Sequence, residues 1–361
     1  MKSETHICTI ASTRPELIRL SRIIAKLDES CNHTLIYTGQ NYDPKLSTIF
    51  FDELGIRKPN LYITKHYDTF GEQLGHMLDV VDGYLSANKP DKILILGDTN
   101  GCLCAIVAKR LGIPLIHAES GNRCKKWIHE EINRHIVDHI SDIHLPYTTL
   151  SKQNLLDEGI NNTSIFVTGN PIGEVLSYYA SQIDSSTILT THSLISKQFL
   201  LATFHRNENV TDEGILKHII YSLNELYKMH KLPIICSIHP KTRTNLTKFK
   251  IEEPYGVRFL EPVGFFAFAK LEKHARVIIS DSGTCPEEGT ILGTPSVIIR
   301  ETTERPELLQ CGSVILSGTK SCDIINAVTL MMNSDKWNIP EGYDNLHVSD
   351  IIVKLLIGNS I

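Results

Sequence analysis

The sequence predicts an α/β fold of two doubly wound, Rossmann-like domains, and three observations support this prediction. Short apolar runs alternate with longer amphipathic stretches along the chain. The apolar runs are nearly continuous, which is typical of parallel strands buried on both faces. The same order of runs starts again after a less patterned stretch at residues 172–196. We expect domains of residues 1–171 and 172–361 joined near Gly169, with the last helix able to pack back on the first domain.

The individual elements follow from the spacing of apolar residues. In the first half, the runs predicted as strands are HICTIAS, HTLIYTG, KILILGD, IPLIHAES, DIHLPY and SIFVTGN. Two stretches with helical periodicity are RPELIRLSRIIAKLDES and EEINRHIVDHIS. In the second half, the predicted strands are FLLATFHR, LPIICSIHP, VRFLEP, ARVIISDSG and TPSVIIRE. Polar residues follow most of these strands, so we expect a ligand cleft between the domains, where carboxyl ends of parallel strands meet.

Composition narrows the class of protein. The chain has 361 residues, a net charge of −5 and no Lys/Arg-rich stripe, which disfavours nucleic acid or anionic membrane as the main partner. No run of eighteen apolar residues indicates a membrane span, and the first residues lack the apolar core of a signal peptide. The nine cysteines are scattered, which is typical of reduced thiols. We therefore expect a cytoplasmic protein.

Two strand ends carry signals for an anionic ligand. Arg14 follows the first strand in ASTRPE, at the predicted N-terminus of a helix, where free N–H groups attract anions. The run SDSGT, with Ser282, Gly283 and Thr284, opens another helix in the second half. A capping sequence with a surface arginine is the alternative explanation of the first stretch. Neither stretch is a Walker loop or a GxGxxG turn, so the sequence predicts no nicotinamide cofactor.

Acids and histidines at other strand ends are candidates for proton chemistry. Asp98 and Glu119 are expected on neighbouring strands, and Glu130 opens a helix. His205 and His239 follow the first two strands of the second half. Each acid alone is more often a helix cap or an ion-pair partner. The acids lie on separate loops and no HExxH motif is present, so no metal site is predicted.

The chain resembles the non-hydrolysing UDP-N-acetylglucosamine 2-epimerase family from end to end. The stretches that carry the resemblance are TRPELIRLS, TGQNYD, FFDELGI, LGDTN, HAESGNRC, EEINRHIVDHISD, HRNEN, SDSGTCPEEGTILGTP and RETTERPE. The resemblance implies a fold like that of GT-B glycosyltransferases, a UDP-sugar substrate in the cleft, commonly a homodimer, and no cofactor. It also implies elimination of UDP to a 2-acetamidoglycal, followed by re-addition with C2 inverted.

Roles for single residues come from the same resemblance. The residues matching the family's catalytic groups are Asp98, Glu119, Glu130 and His205. The residues expected to bind UDP or sugar are Arg14, Arg19, Gln40, Arg134, His239, Ser282, Gly283, Thr284, Glu288 and Arg305. Ser282 to Thr284 would hold the diphosphate and Glu288 the ribose, which leaves Glu287 to the helix dipole.

Within the family, the chain looks closest to the branch that forms UDP-N-acetyl-L-fucosamine for surface polysaccharide. Arg19 stands where the UDP-GlcNAc branch has lysine, and SGN replaces its AGL. The segment from Cys124 to Arg134 departs from the family, because it lacks an aromatic-acidic stretch and a proline. The alternatives are a hydrolysing 2-epimerase, a GT-B glycosyltransferase and a UDP-sugar-binding regulatory protein.

Overall fold

Each half of the chain folds around its own six-stranded parallel sheet, which confirms the predicted fold class. The computed structural model describes residues 2–39, 44–63, 67, 69–124, 128–334 and 336–358. Unit 1 comprises Met1–Ser177 with Glu341–Ile361, and unit 2 comprises Tyr178–Pro340. The boundary lies a few residues after the expected one, and the C-terminal segment belongs to unit 1.

The sheet of unit 1 has the strand order β3-β2-β1-β4-β5-β6, and all of its pairings are parallel. Its strands are β1 (His6–Ala11), β2 (Asn32–Tyr37), β3 (Leu61–Tyr62), β4 (Lys92–Leu96), β5 (Leu115–Ala118) and β6 (Ile143–Leu145). The strand order reverses between β1 and β4. Ligands of doubly wound sheets bind at such a reversal, outside the carboxyl ends of the strands.

Unit 2 repeats this order as β12-β11-β10-β7-β8-β9, so its reversal lies between β7 and β10. Its strands are β7 (Leu200–Phe204), β8 (Ile234–Ile238), β9 (Val257–Leu260), β10 (Ile278–Ser280), β11 (Ser296–Ile298) and β12 (Val314–Leu316). Both faces of this sheet are buried: Leu200 and Ala202 pack in one core, while Leu201 packs in another. Successive side chains of a strand point to opposite faces, which explains the continuous apolar runs.

Helices connect the strands in both units. Those of unit 1 are α1 (Arg14–Ser30), α2 (Pro44–Glu53), α3 (Phe70–Asn88), α4 (Ala105–Arg110), α5 (His129–Ile140), α6 (Thr149–Asp157) and α7 (Pro171–Tyr178), which ends at the boundary. Those of unit 2 are α8 (Ala180–Ser185), α9 (Ile188–Thr191), α10 (Asn207–Val210), α11 (Glu213–His230), α12 (Pro240–Lys248), α13 (Phe265–His274), α14 (Cys285–Leu292), α15 (Pro306–Gln310) and α16 (Ser321–Met331). The last helix, α17 (Val348–Ile357), returns to unit 1. None of the helices in the described ranges has the length and apolarity to cross a bilayer.

One predicted strand is wrong. The segment SIFVTGN does not form a regular strand, and Ile165 makes only an isolated parallel bridge to His144 of β6. Its backbone still runs beside β6, because the N–H groups of Phe166 and Thr168 donate to His144 and Pro146 carbonyls. The segment thus follows the edge of the sheet without continuing it. The short strands β3 and β12 are absent from the prediction.

The C-terminal helix α17 packs on α1. Its buried face includes Ile352, which is fully buried, and Ser349, whose backbone N–H donates to the carboxylate of Glu174 at 2.8 Å. Lys26 of α1 lies 2.6 Å from Asp350 and 3.4 Å from Glu174. The last helix of unit 1, α17, therefore comes after the whole of unit 2 in the sequence.

Replacing Ile352 with alanine should lower the free energy of unfolding of unit 1 by about 2–5 kcal/mol, because it leaves a cavity between α17 and α1. Chemical unfolding followed by circular dichroism measures this change. Lys354→Ala, on the exposed side of the same helix, is the control and should change stability by less than about 0.5 kcal/mol. Equal effects of the two substitutions would contradict the described packing.

A buried ionic network holds the loops that follow β4 and β5. Asp138 of α5 accepts hydrogen bonds from His117 Nδ1 at 2.7 Å, Arg123 Nη1 at 2.8 Å and the Gly121 N–H at 3.1 Å. His117 Nε2 lies 2.9 Å from the carbonyl oxygen of Gly97. Both partners of His117 are acceptors, so both ring nitrogens must donate and the ring is an imidazolium. The network thereby holds the turns at Gly97 and Gly121, both of which have a positive φ.

The pKa values of this pair follow from the geometry. Burial raises the pKa of Asp138, but the charges and hydrogen bonds of His117 and Arg123 outweigh it and lower that pKa to about 2. Burial lowers the pKa of His117, but Asp138 and the carbonyl of Gly97 outweigh it and raise that pKa above its usual value. The net shift of each pKa therefore favours the charged form of that residue.

Asp138→Asn should destabilise the protein by about 3–5 kcal/mol near neutral pH, because it leaves buried cations without a partner. The contribution of Asp138 is present above its unfolded pKa near ~4 and is lost as pH falls towards 2. The contribution of His117 is complete below its unfolded pKa near ~6.5 and is lost as pH rises through its raised folded value. The loss of unfolding free energy in Asp138→Asn relative to wild type should thus be largest between about pH 4 and pH 6.5, the unfolded pKa values of Asp138 and His117.

Urea unfolding at pH values below, within and above that window measures the effect. Asp157→Asn, on the exposed surface of α6, is the matched control and should have little effect at any pH. A cost of Asp138→Asn that does not vary with pH would contradict the ion pair.

Candidate functional site

The sheet reversal in unit 1 brings together the predicted residues that follow β1 and β4. Thr13 occupies the N-cap position of α1, so Arg14 lies in its first turn as predicted. The guanidinium of Arg14 lies 5.3 Å from the Phe50 ring centroid. Asp98 follows β4, next to β1 in the sheet. The strand order therefore converts two distant stretches of sequence into neighbours.

Asp98 is held by two residues of α5. Its Oδ2 accepts a hydrogen bond from Arg134 Nε at 2.7 Å, and its backbone carbonyl accepts from Asn133 Nδ2 at 2.8 Å. Arg134 also donates from Nη1 to Glu131 Oε2 at 2.5 Å. The side chain of Asp98 remains 20% exposed, whereas those of Arg134 and Glu131 are buried. Asp98 is thus an anchored carboxylate that solvent or a ligand can reach.

Glu119, at the end of β5, has an unusual backbone conformation. Its φ is +68°, a region that costs a non-glycine residue about 1–3 kcal/mol and is enriched at functional sites. Its buried carboxylate accepts from the Tyr147 hydroxyl at 3.1 Å and lies 3.4 Å from Arg19 Nη1. Asp98 and Glu119 follow the neighbouring strands β4 and β5, as the sequence predicts.

A third acid, the buried Glu16, was not among the predicted site residues. It accepts hydrogen bonds from the Ser12 N–H at 2.5 Å and from the Thr99 hydroxyl at 2.6 Å, so it joins the loops after β1 and β4. Burial is the main cause that raises its pKa to about 7, and the charge of Asp98 adds to the increase. The sequence from Thr13 to Glu16 has the pattern of a capping box, and this pattern could have drawn attention to Glu16.

The remaining predictions in unit 1 have mixed outcomes. Glu130 is half-buried in the first turn of α5, and its catalytic role stays a prediction. The neighbouring Glu131 makes the contact with Arg134, because residues three apart share a face of the helix. Gln40 and residues 125–127 of the unusual loop lie outside the described residues.

In unit 2, the buried carboxylate of Asp281 organises the sheet reversal. It follows β10 and accepts from the backbone N–H groups of His205 and Arg206 at 3.0–3.1 Å, and from Asn209 Nδ2 at 3.0 Å. His205 follows β7, and its side chain is 46% exposed with Nδ1 3.8 Å from Asp281. The predicted histidine is therefore accessible and fixed at its backbone. His239 caps α12 after the adjacent strand β8, with its ring centroid 6.2 Å from that of His205.

The predicted diphosphate loop forms a tight turn before α14. The hydroxyls of Ser282 and Thr284 lie 3.0 Å apart, and Thr284 also donates its N–H to the Ser282 hydroxyl. A Cβ atom on Gly283 would lie 2.6 Å from Glu304 Oε1, so a side chain at that position would require the Glu304 carboxylate to move. The turn presents small polar residues at the N-terminus of a helix, which suits an anion.

The two adjacent acids of α14 have different surroundings. Glu287 is fully buried and accepts from Arg305 Nε at 2.6 Å, so its main interaction is this ion pair and not the helix dipole. Arg305 is itself buried, and its role in ligand binding stays a prediction. Glu288 lies beside the fully buried Glu272 of α13. Burial and the charge of Glu288 raise the pKa of Glu272 well above its usual value.

Comparison with known proteins agrees with this arrangement. Residues 25–356 match the family model described as UDP-N-acetylglucosamine 2-epimerase. A UDP-N-acetylglucosamine 2-epimerase of Methanocaldococcus jannaschii is 37% identical over 96% of this chain and 97% of its own length. A UDP-2,3-diacetamido-2,3-dideoxy-D-glucuronate 2-epimerase of Pseudomonas aeruginosa is 32% identical over 86% of this chain and 88% of its own length.

A solved structure extends the match to the whole fold. The crystal structure of the Methanocaldococcus jannaschii UDP-GlcNAc 2-epimerase in complex with UDP-GlcNAc and UDP superposes with a TM-score of 0.92. The two sequences are 36% identical in this comparison, which covers 98% of this chain and 99% of the other. The chain therefore belongs to the UDP-N-acetylglucosamine 2-epimerase family of isomerases.

Proposed function

We propose that the chain is a non-hydrolysing epimerase that inverts C2 of a UDP-2-acetamido sugar. The C2–H bond is not adjacent to a carbonyl, so deprotonation to an enolate is unavailable. Removal of the C2 proton therefore accompanies departure of UDP from C1, which gives a 2-acetamidoglycal. UDP then adds back to C1 while a proton is delivered to the opposite face of C2. The reaction is balanced and requires no redox cofactor.

The observation that best supports this proposal is the pair of carboxylates at the ends of β4 and β5. Asp98 is paired with Arg134 at 2.7 Å, and Glu119 lies 3.4 Å from Arg19. A neighbouring cation favours the charged form of a carboxylate, and a charged carboxylate can accept a proton. The pKa of Glu16, raised to about 7, adds a group that can hold a proton at neutral pH. Acids in different protonation states suit proton removal and proton return.

Unit 2 supplies the groups proposed to bind UDP. Ser282, Gly283 and Thr284 would receive the diphosphate at the N-terminus of α14, where backbone N–H groups are available. His205, fixed by Asp281, would lie near the leaving diphosphate and stabilise its charge. Glu288, which lies beside Glu272, would accept hydrogen bonds from the ribose hydroxyls. The relative of known structure was crystallised with UDP-GlcNAc and UDP.

The substrate is proposed as a UDP sugar with an acetamido group at C2. The substrates named for the two relatives share this group but differ at other sugar positions. Arg19 lies beside Glu119, so the arginine that distinguishes the chain from the UDP-GlcNAc branch contacts a proposed catalytic acid. This position favours the UDP-N-acetyl-L-fucosamine-forming branch, whose substrate is UDP-2-acetamido-2,6-dideoxy-L-talose. We further propose a cytoplasmic homodimer that serves surface polysaccharide synthesis.

Incubation with UDP-GlcNAc and with the 6-deoxy-L-talose analogue in D2O tests the reaction and its substrate. Deuterium should appear at C2 while UDP remains attached to the sugar, because the proton returned to C2 comes from solvent. NMR of C2 and of the anomeric phosphate follows both outcomes. Deuterium in a free sugar with released UDP would indicate a hydrolysing epimerase. No exchange in either sugar would contradict an epimerase.

Asp98→Asn should lower kcat by about 10²–10⁴-fold, because it removes an acid–base group and keeps the size of the side chain. Its affinity for UDP, measured by calorimetry, should stay within a few-fold of wild type, since the diphosphate is proposed to bind unit 2. Asp79→Asn, on the exposed side of α3, is the matched control for the loss of one negative charge. A collapse of UDP binding in Asp98→Asn would mean that Asp98 acts in nucleotide binding.

A further inference from the structure

Three polar side chains outside the proposed reaction meet on the surface of unit 1. His135 and His139 lie four residues apart on α5, and Glu158 caps the C-terminus of α6. Residues four apart on a helix share one face, so the two imidazoles point the same way. One ligand-type atom from each residue lies within 4.8 Å of the others. The side chains are partly exposed, at 27%, 48% and 25%, so an ion from solvent can reach them.

The distances are close to those of a metal-coordination polyhedron. Glu158 Oε2 lies 3.6 Å from His135 Nδ1 and 4.0 Å from His139 Nε2. Zinc binds nitrogen and oxygen at about 2.0–2.2 Å in tetrahedral geometry, which places neighbouring ligand atoms about 3.3–3.5 Å apart. Small rotations of the side chains would close the difference. The rings of His135 and His139 are already stacked, with centroids 6.1 Å apart.

A hydrogen bond of His139 and an ion pair of His135 already orient the two histidines. His139 Nδ1 lies 2.8 Å from the carbonyl oxygen of His135, so Nδ1 donates and Nε2 keeps its lone pair. His135 Nε2 lies 3.5 Å from Glu131 Oε1, which leaves its Nδ1 directed at Glu158. Metal-binding histidines commonly donate their second nitrogen to a carbonyl or a carboxylate in this way.

The third ligand is fixed by an arginine. Arg123 donates to both oxygens of Glu158, from Nε at 2.6 Å and from Nη2 at 2.5 Å. Each carboxylate oxygen keeps a second lone pair, so Oε2 can accept a metal ion as well. The charge of Arg123 is partly compensated by Asp138, 2.8 Å from Nη1. The carboxylate is thus held in place before any ion arrives.

We propose that His135, His139 and Glu158 bind a divalent transition-metal ion with the preferences of Zn²⁺, with water completing the coordination. Two imidazoles and one carboxylate suit zinc and its neighbours in the first row, whereas Mg²⁺ and Ca²⁺ prefer oxygen ligands. The ion would join α5 to the end of α6 and stabilise unit 1, because it binds the folded state. No step of the proposed epimerisation uses it, so the site stands independently of that reaction.

Titration of the metal-stripped full-length protein with Co²⁺, and then displacement by Zn²⁺, tests the site. A single Co²⁺ should bind with the visible spectrum of nitrogen and oxygen coordination, and Zn²⁺ should raise the unfolding temperature. His135→Ala and His139→Ala should each weaken metal binding by at least about tenfold, because each removes a ligand. His218→Ala is the matched control, since it removes an exposed helical histidine that has Ser222 four residues later.

Several outcomes would overturn the proposal. Absence of saturable binding, or equal affinity in the wild type and both histidine variants, would exclude the site. An intense thiolate-to-cobalt transition would place the ion on a cysteine instead. Far-UV circular dichroism verifies that each variant folds. If His135→Ala unfolds, His139→Ala decides the question, because its half-exposed side chain can be removed with little loss of packing.

Discussion

The candidate site of unit 1 depends on the buried ion pair between His117 and Asp138. Through this pair α5 is bound to β5, and the carbonyl of Gly97 and the N–H of Gly121 are held in glycine turns of positive φ. Asp98 and Glu119 are part of these turns. A buried charge without a partner costs several kcal/mol, so the pair is stable only in this one arrangement. The positions of the proposed catalytic acids therefore follow from an interaction in which neither acid takes part.

In unit 2, a single carboxylate holds the loops at the sheet reversal. Asp281 is fully buried and accepts from the backbone N–H groups of His205 and Arg206. It also connects β10 to β7, the two strands on either side of the sheet reversal. In both units a polar group beneath the strand ends fixes the loops, and the exposed side chains of those loops remain available for a ligand.

Much of the fold was predictable, because the periodic spacing of apolar residues that indicates helices and strands is a local property of the sequence. The prediction for α1 agrees with the structure at both ends, since Pro15 and the amphipathic pattern define it. SIFVTGN has the composition of a strand but lies along the edge of the sheet. The acids were predictable as a group from their strand ends, yet the partner of each was not. Glu131 forms an ion pair with Arg134, which depends on the phase of the helix that carries both residues. Glu287 forms an ion pair with Arg305, which comes from a loop distant in sequence.

The sequence by itself determined the class of fold, the family and the strand ends at which polar residues concentrate. These properties are encoded in short-range patterns and in motifs whose order is visible along the chain. The tertiary structure decided which polar residues meet: Glu16 with Thr99, and His139 with Glu158. It also returned α17 to unit 1 after the whole of unit 2. Such contacts depend on strand order and burial, because residues far apart in sequence interact only once the sheets have formed.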